Sequence, residues 1–382
     1  MEHPAGEPLS AAHHDAGLGL RQRFLLVQGH GCSPGGTRIA RIARIAARAR
    51  RTASCVDGDA HLKDLAMNPA FSVVFLTTLS GAAQGLLIAL VGVETAAYLG
   101  LVTAPADAFY MIGAGVSVVL GLLGLIASFF HLGHPERAWR AIAMWRTSWL
   151  SRECLCLPAF LACAFFYGVA HGFGSPWSLA IGWLGVLASA TLFVCTAMIY
   201  ACLRFLQEWA TPLTLVNFVL LGCASGFTLA TALTAWFAPG LTAQLAVCAC
   251  VLTLAGCASR CASLMRNARL RPKSTVQSAT GINNPKLVQV SRGFTAGAFN
   301  LREFFHGKSA GTLRGIKWAF LVAAFAVPVV LIALGAGLHP IGASLGLLAA
   351  ACLVQYAGLV AERWFFFAEA KHPQNLYYAR VG

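Results

Sequence analysis

The chain has 382 residues, of which 58% are hydrophobic and only 11% charged, with a formal net charge of +14. A soluble domain carries about 25% charged residues, so this composition excludes an ordinary soluble enzyme. The positive charge is no nucleic-acid signature, because Arg and Lys concentrate in the first 66 residues and in a few connections, with no soluble domain beyond residue 66 to display a basic patch.

Residues 1–66 are rich in Gly, Ala, Arg and His, with Arg38, Arg41 and Arg44 spaced by three. That spacing fits an amphipathic membrane-surface or targeting segment. The simpler reading is a disordered tail or sequence upstream of the natural start. Met67 opens the run MNPAFSVVF directly before the first apolar stretch and suits such a start. We therefore divide the chain into an extension, 1–66, and a membrane domain, 67–382.

Eight apolar stretches follow, at about 71–93, 109–130, 154–174, 178–202, 212–236, 241–263, 317–338 and 341–367. Roughly 20 apolar residues cross the hydrocarbon core as a helix. Backbone groups in lipid must bond internally. The fold class is thus all-α, a polytopic bundle of eight transmembrane helices. Gly81/Gly85, Gly222/Gly226 and Gly342/Gly346 are small-residue pairs at spacing four. They predict close helix packing within the chain.

Charge alternates between connections. Those after the first, third, fifth and seventh stretches hold Glu94 and Asp107 and no Lys or Arg. The connection after the second carries Arg137, Arg140, Arg146 and Arg152, and that after the fourth carries Arg204. A long polar segment at 264–316 is strongly basic, with interspersed Phe, and suits docking to a protein face or to anionic headgroups. The positive-inside rule places these loops and both termini in the cytoplasm.

The densest polar cluster is FFHLGHPERAWRAIAMWRTSWLSREC, residues 129–154. His131 ends the second span. Arg137 and Arg140 share one face of a short interfacial helix. Trp139, Trp145 and Trp149 suit the headgroup level. Ser151 is placed to cap the next span, with Glu153 in its first turn. Two readings stand. One is a proton-coupled pocket, in which a neutral His at the hydrocarbon edge takes a proton from a quinol and a carboxylate passes it to water. The other is interfacial anchoring, the simpler account of Glu153 and Arg146.

Gln84, Asn217 and Gln355 lie deep in their spans, as helix–helix contacts or as lining of a quinone pocket. Glu362 and Arg363 sit close enough to the interface to snorkel. No span has a His near its middle, so no haem is expected; a His171/His339 pair is the remaining bis-histidine option. The thirteen Cys form no CxxC pair, and most read as small packing residues, so no metal site is expected. A transporter places charges at the midplane between repeats, and neither is evident. A transporter and a passive assembly anchor remain the alternatives.

The elements HLGHPERAW and SWLSRE, with NPAFSVVFLTT, SRCASLMRNARLRPKSTVQSA, FNLREFFHG and AERWFFFAEAKHPQNLYY, resemble the membrane anchor subunit of dimethyl sulfoxide reductase over about residues 67–380. The resemblance implies a haem-free subunit of the bacterial inner membrane that oxidises menaquinol in anaerobic respiration. It implies an iron–sulfur electron-transfer partner and a catalytic partner with molybdopterin. By this resemblance His131 contacts the quinol and Glu153 supports it as acid or base. Arg137 and Arg140 match basic positions less strictly, and Gln84 is a further pocket candidate from its depth.

Overall fold

The computed structural model describes residues 70–130, 134–271, 273, 275–284, 308–338 and 341–371, all within the compact unit Gly58–Gly382. The extension 1–66 and residues 285–307 of the long loop lie outside the described residues. Among those described, eight helical rods are long and apolar enough to cross a membrane.

The rods are α1 (Phe71–Tyr98), α2 (Asp107–Phe129), α3 (Trp149–Gly172), α4 (Ser178–Ala201), α5 (Pro212–Phe237) and α6 (Thr242–Ala268). A one-turn helix, α7 (Val276–Thr280), follows in the long loop. The last two rods are α8 (Ala310–Ala336) and α9 (Ile341–Ala368). A 3-10 segment, Pro135–Met144, joins α2 to α3. Short connections make neighbours antiparallel, so the Arg-bearing connections all lie at one end, called here the basic end.

The helices run past the predicted bounds where polar residues find partners that sequence spacing does not reveal. α1 continues through Glu94, whose Oε1 accepts from Ser178 Oγ at 2.6 Å. α6 continues to Ala268, with Arg266 Nη1 donating to the Gln207 carbonyl at 3.0 Å. α8 begins at Ala310 behind Ser309, whose hydroxyl accepts from the Thr312 N–H. The loop expected at 264–316 is therefore shorter at both ends. α3 starts at Trp149, capped by Ser148, which accepts from the Ser151 N–H at 3.4 Å. Ser151 is thus inside the helix, not its cap, and Glu153 sits in the second turn, beyond the strongest reach of the helix dipole.

α1 and α5 form the centre, and α2, α4, α6 and α9 surround them. Their contact is made by glycine. A Cβ on Gly226 would run into the backbone of Gly85 and Leu86, and one on Gly85 into Gly222 and Cys223. Two of the three predicted pairs therefore face each other inside the chain. The third pair does not pack in this way: a Cβ on Gly342 or Gly346 meets nothing within 4 Å among the described residues. α9 uses Gly358 instead, tight against the backbone of Ala323 and Ala324. That stretch of α8 is a π-helical turn, Val322–Ala326. Pro328, two residues beyond it, has no N–H to offer the Ala324 carbonyl within the turn, which accounts for the local widening.

Candidate functional site at the basic end

Glu153 is buried, at 8% exposure, and its Oε1 accepts a short hydrogen bond from Thr196 Oγ1 of α4 at 2.5 Å. Pro158 lies one turn further along α3 and leaves the Cys154 carbonyl beside Glu153 without its helical donor. This end of α3 thus carries a buried acid beside a break in the regular helical hydrogen-bond ladder. Interfacial anchoring does not describe a carboxylate in this position.

One turn beyond Thr196, Tyr200 sits in an aromatic box. Its ring stacks on Phe218 (5.7 Å between centroids) and meets Trp209 and Phe367 edge-on at 5.4 and 5.2 Å. Trp209 Nε1 donates to the Phe366 carbonyl at 3.0 Å, fixing the last turn of α9 to the α4–α5 connection. Behind this box lies a charged seam. Arg363 places its guanidinium carbon 3.8 Å from the Phe218 centroid. Its Nε is 3.8 Å from Glu362 Oε2. Glu362 Oε1 is 2.6 Å from Arg260 Nε of α6, and Arg260 Nη2 is 3.7 Å from Glu369 Oε2.

Arg260 and Glu362 are each 1% exposed and Arg363 is 4% exposed. This corrects the expectation that Glu362 and Arg363 snorkel to the interface: each has a partner inside the bundle, and α9 turns both inward. Burial lifts the Glu369 carboxyl above the usual carboxylate range, against the pull of Arg260. Arg363 Nε and Glu362 Oε2 make no hydrogen bond among the described residues. Both residues line a narrow cleft between α1, α5 and α9, together with Thr77, Thr78, Phe218 and Ser225. Charges so buried are costly unless paired, and pairing here is incomplete. At membrane depth such groups are functional candidates.

The other sequence candidates are placed as follows. His131 lies outside the described residues. Arg137 and Arg140 share the exposed face of the 3-10 segment; Arg137 Nε is 3.8 Å from Glu136, and Arg140 lies over the Trp139 ring at 5.5 Å. Neither is brought to Glu153. Gln84 is buried and donates to the Ser80 carbonyl at 3.0 Å. It is about 20 Å along α1 from the basic end, at 1.5 Å per residue, and so stands apart from Glu153. Asn217 and Gln355 serve as helix–helix contacts, donating to Ser263 Oγ at 2.8 Å and to Thr253 Oγ1 at 3.1 Å.

Sequence reasoning missed Thr196, Tyr200 and Arg260. Arg260 carried a readable signal, since α6 remains apolar on both sides of it. Arg152, expected only as a charge of the second connection, lies inside α3 and ties down the approach to the site. Its Nε donates to the Trp145 carbonyl at 3.0 Å and Nη2 to that of Arg146 at 2.7 Å, and it lies over the Trp149 ring.

The sequence model of the family described as DMSO reductase anchor subunit (DmsC) matches residues 67–372. The chain belongs to this family. It is 53% identical over 330 residues to a sulfite dehydrogenase subunit from Allochromatium vinosum, a match that covers 82% of this chain and 100% of that protein. It is therefore a multi-span membrane anchor, of a family that works with catalytic and electron-transfer subunits in a membrane-bound complex. The eight rods and the buried polar layer at the basic end belong to that anchor domain.

Proposed function

We propose that this chain is the quinone-reactive anchor of a sulfite-oxidising complex in the bacterial inner membrane, with its basic end towards the cytoplasm. The observation that carries the reading is the buried Glu153, held by Thr196 beside a seam of two buried arginines. Likeness to a sulfite dehydrogenase subunit supplies the substrate and the direction. Oxidation of sulfite with water gives sulfate, two electrons and two protons. A quinone takes two electrons and two protons to become the quinol. The molybdopterin and iron–sulfur groups belong, in this reading, to the partner subunits, docked on the basic loops by charge. They deliver electrons singly to the membrane site.

This chain's own part is to bind the quinone ring and to supply protons. Glu153 holds a proton at a place that bulk water does not reach. Thr196 orients its carboxyl, so that the free oxygen faces the substrate. Arg260 and Arg363 keep this end of the bundle electropositive, which favours negative charge gathering on a quinone oxygen. His131, four residues before the start of the 3-10 segment in sequence, acts as the second proton-carrying group.

The family description favours a second reading, in which the anchor oxidises menaquinol and sends electrons outward to a reductase. The same groups serve that direction, with protons accepted rather than supplied. One experiment separates the two. The complex is purified through the tagged chain in mild detergent. Sulfite is then added with a quinone analogue, or menaquinol with dimethyl sulfoxide. Sulfite-driven quinone reduction, with iron–sulfur signals in electron paramagnetic resonance, is the expected result. Quinol-driven reduction alone selects the second reading. A chain that purifies without any redox partner overturns both.

A further inference from the structure

At the end opposite the basic loops, three helices bring a histidine between two carboxylates. His171 of α3 sets Nδ1 2.9 Å from Asp107 Oδ1 of α2, and Nε2 3.4 Å from Glu94 Oε1 of α1. The Tyr110 ring stacks on the imidazole at 4.3 Å, and Tyr167 meets it edge-on at 4.9 Å. The His171 side chain is 6% exposed, whereas that of Asp107 is 67% exposed. Glu94 Oε2, His171 Nε2 and both tyrosine hydroxyls are shut off from solvent without a well-formed hydrogen bond among the described residues. Four such atoms in one place are unusual, because buried polar groups are normally satisfied. The proposed quinone chemistry at the basic end uses none of them.

The geometry points to a proton-exchange site on this face: Asp107 takes protons from water, His171 carries them inward, and Glu94 holds them out of water's reach. The steps balance within the ring. A proton passing from Asp107 to Nδ1 makes the imidazolium, and the proton on Nε2 then leaves to Glu94. One proton enters at Nδ1, one departs from Nε2, and the imidazole ends neutral in the other tautomer, which the reverse transfer from Glu94 to water resets. An imidazole with a carboxylate at each nitrogen is suited to this, since both nitrogens donate only in the charged form. Among the described residues, the titratable groups facing His171 are Glu94, Asp107, Tyr110 and Tyr167, with no Lys or Arg.

The test is solid-state NMR on the purified complex labelled with 15N-histidine, with His171 assigned by the signal lost in His171→Gln. The expected result is a ring whose nitrogen-bound protons exchange in heavy water, although the side chain is only 6% exposed. Asp107→Asn, at an exposed position that the fold tolerates, slows this exchange tenfold or more. A ring that does not exchange, or exchange unchanged by Asp107→Asn, overturns the proposal and leaves a structural clasp. None of these readings depends on quinone activity, so failure here is distinct from failure at the basic end.

Discussion

Glu153→Gln separates chemistry from packing at the proposed site. Gln has nearly the same size, and its carbonyl still accepts from the Thr196 hydroxyl. The hydrogen bond passes from a carboxyl to an amide acceptor, a change of at most about 1 kcal/mol on the usual scales. The proton-carrying function is lost entirely. A positioned acid or base contributes roughly 10²–10⁴-fold to rate, which is about 3–5 kcal/mol at 1.36 kcal/mol per decade. The rate effect therefore exceeds the stability effect by several fold. The assay is sulfite-dependent quinone reduction in isolated membranes, normalised to complex that co-purifies with the tagged chain. A fall of 100-fold or more, with normal assembly, is expected. A variant that keeps more than half of wild-type turnover refutes the acid–base role. One that loses activity only in proportion to lost assembly does so as well.

Further outcomes follow from the packing. Gly226→Ala drives a methyl group into the α1 backbone, which cannot swing aside as a side chain does. The cost is at or above the top of the usual 1–3 kcal/mol range for overpacking, read as a lowered melting temperature in detergent; an unchanged melting temperature contradicts the contact. Gly342→Ala points its methyl into open space and is neutral in the same assay. Glu362→Gln leaves Arg363 without its acidic partner and Arg260 with only the more distant Glu369, and costs about 3–5 kcal/mol. In a cycle of Glu362→Gln, Arg260→Met and their double variant, the double costs less than the sum of the singles, because the pair is removed together while Arg363 still lacks its acid; simple additivity contradicts the pairing. Arg152→Ala deletes two hydrogen bonds that hold the 3-10 segment and raises protease cleavage between residues 137 and 147.

Hydropathy alone located the eight rods, because lipid leaves a long apolar segment few alternatives to helix. It misjudged their ends for one physical reason. Glu94, Glu153 and Arg266 look like interfacial residues until their partners are known, and those partners sit on other helices or connections. The central α1–α5 contact was half legible: spacing identified the glycine pairs, while which pairs meet is a tertiary fact. The candidate site was legible as a region and as one residue, Glu153. Its hydrogen-bond partner was not, since other threonines of these helices, such as Thr77, Thr228 and Thr253, bond their own backbone and nothing in the sequence sets Thr196 apart. The buried Arg260–Glu362–Arg363 seam was visible only as three isolated charges near helix ends. His171 was read as a haem option because its role depends on Glu94 and Asp107, which lie far back in the chain.

The most direct test of quinone binding at the basic end is photolabelling of the purified complex with an azido-quinone, followed by peptide mapping. The account predicts label on the 129–156 and 192–200 segments of this chain. It also predicts that unlabelled quinone competes the label away and that Glu153→Gln reduces it. Label confined to the opposite end, around residues 94–110 and 167–178, or none on this chain at all, would contradict it.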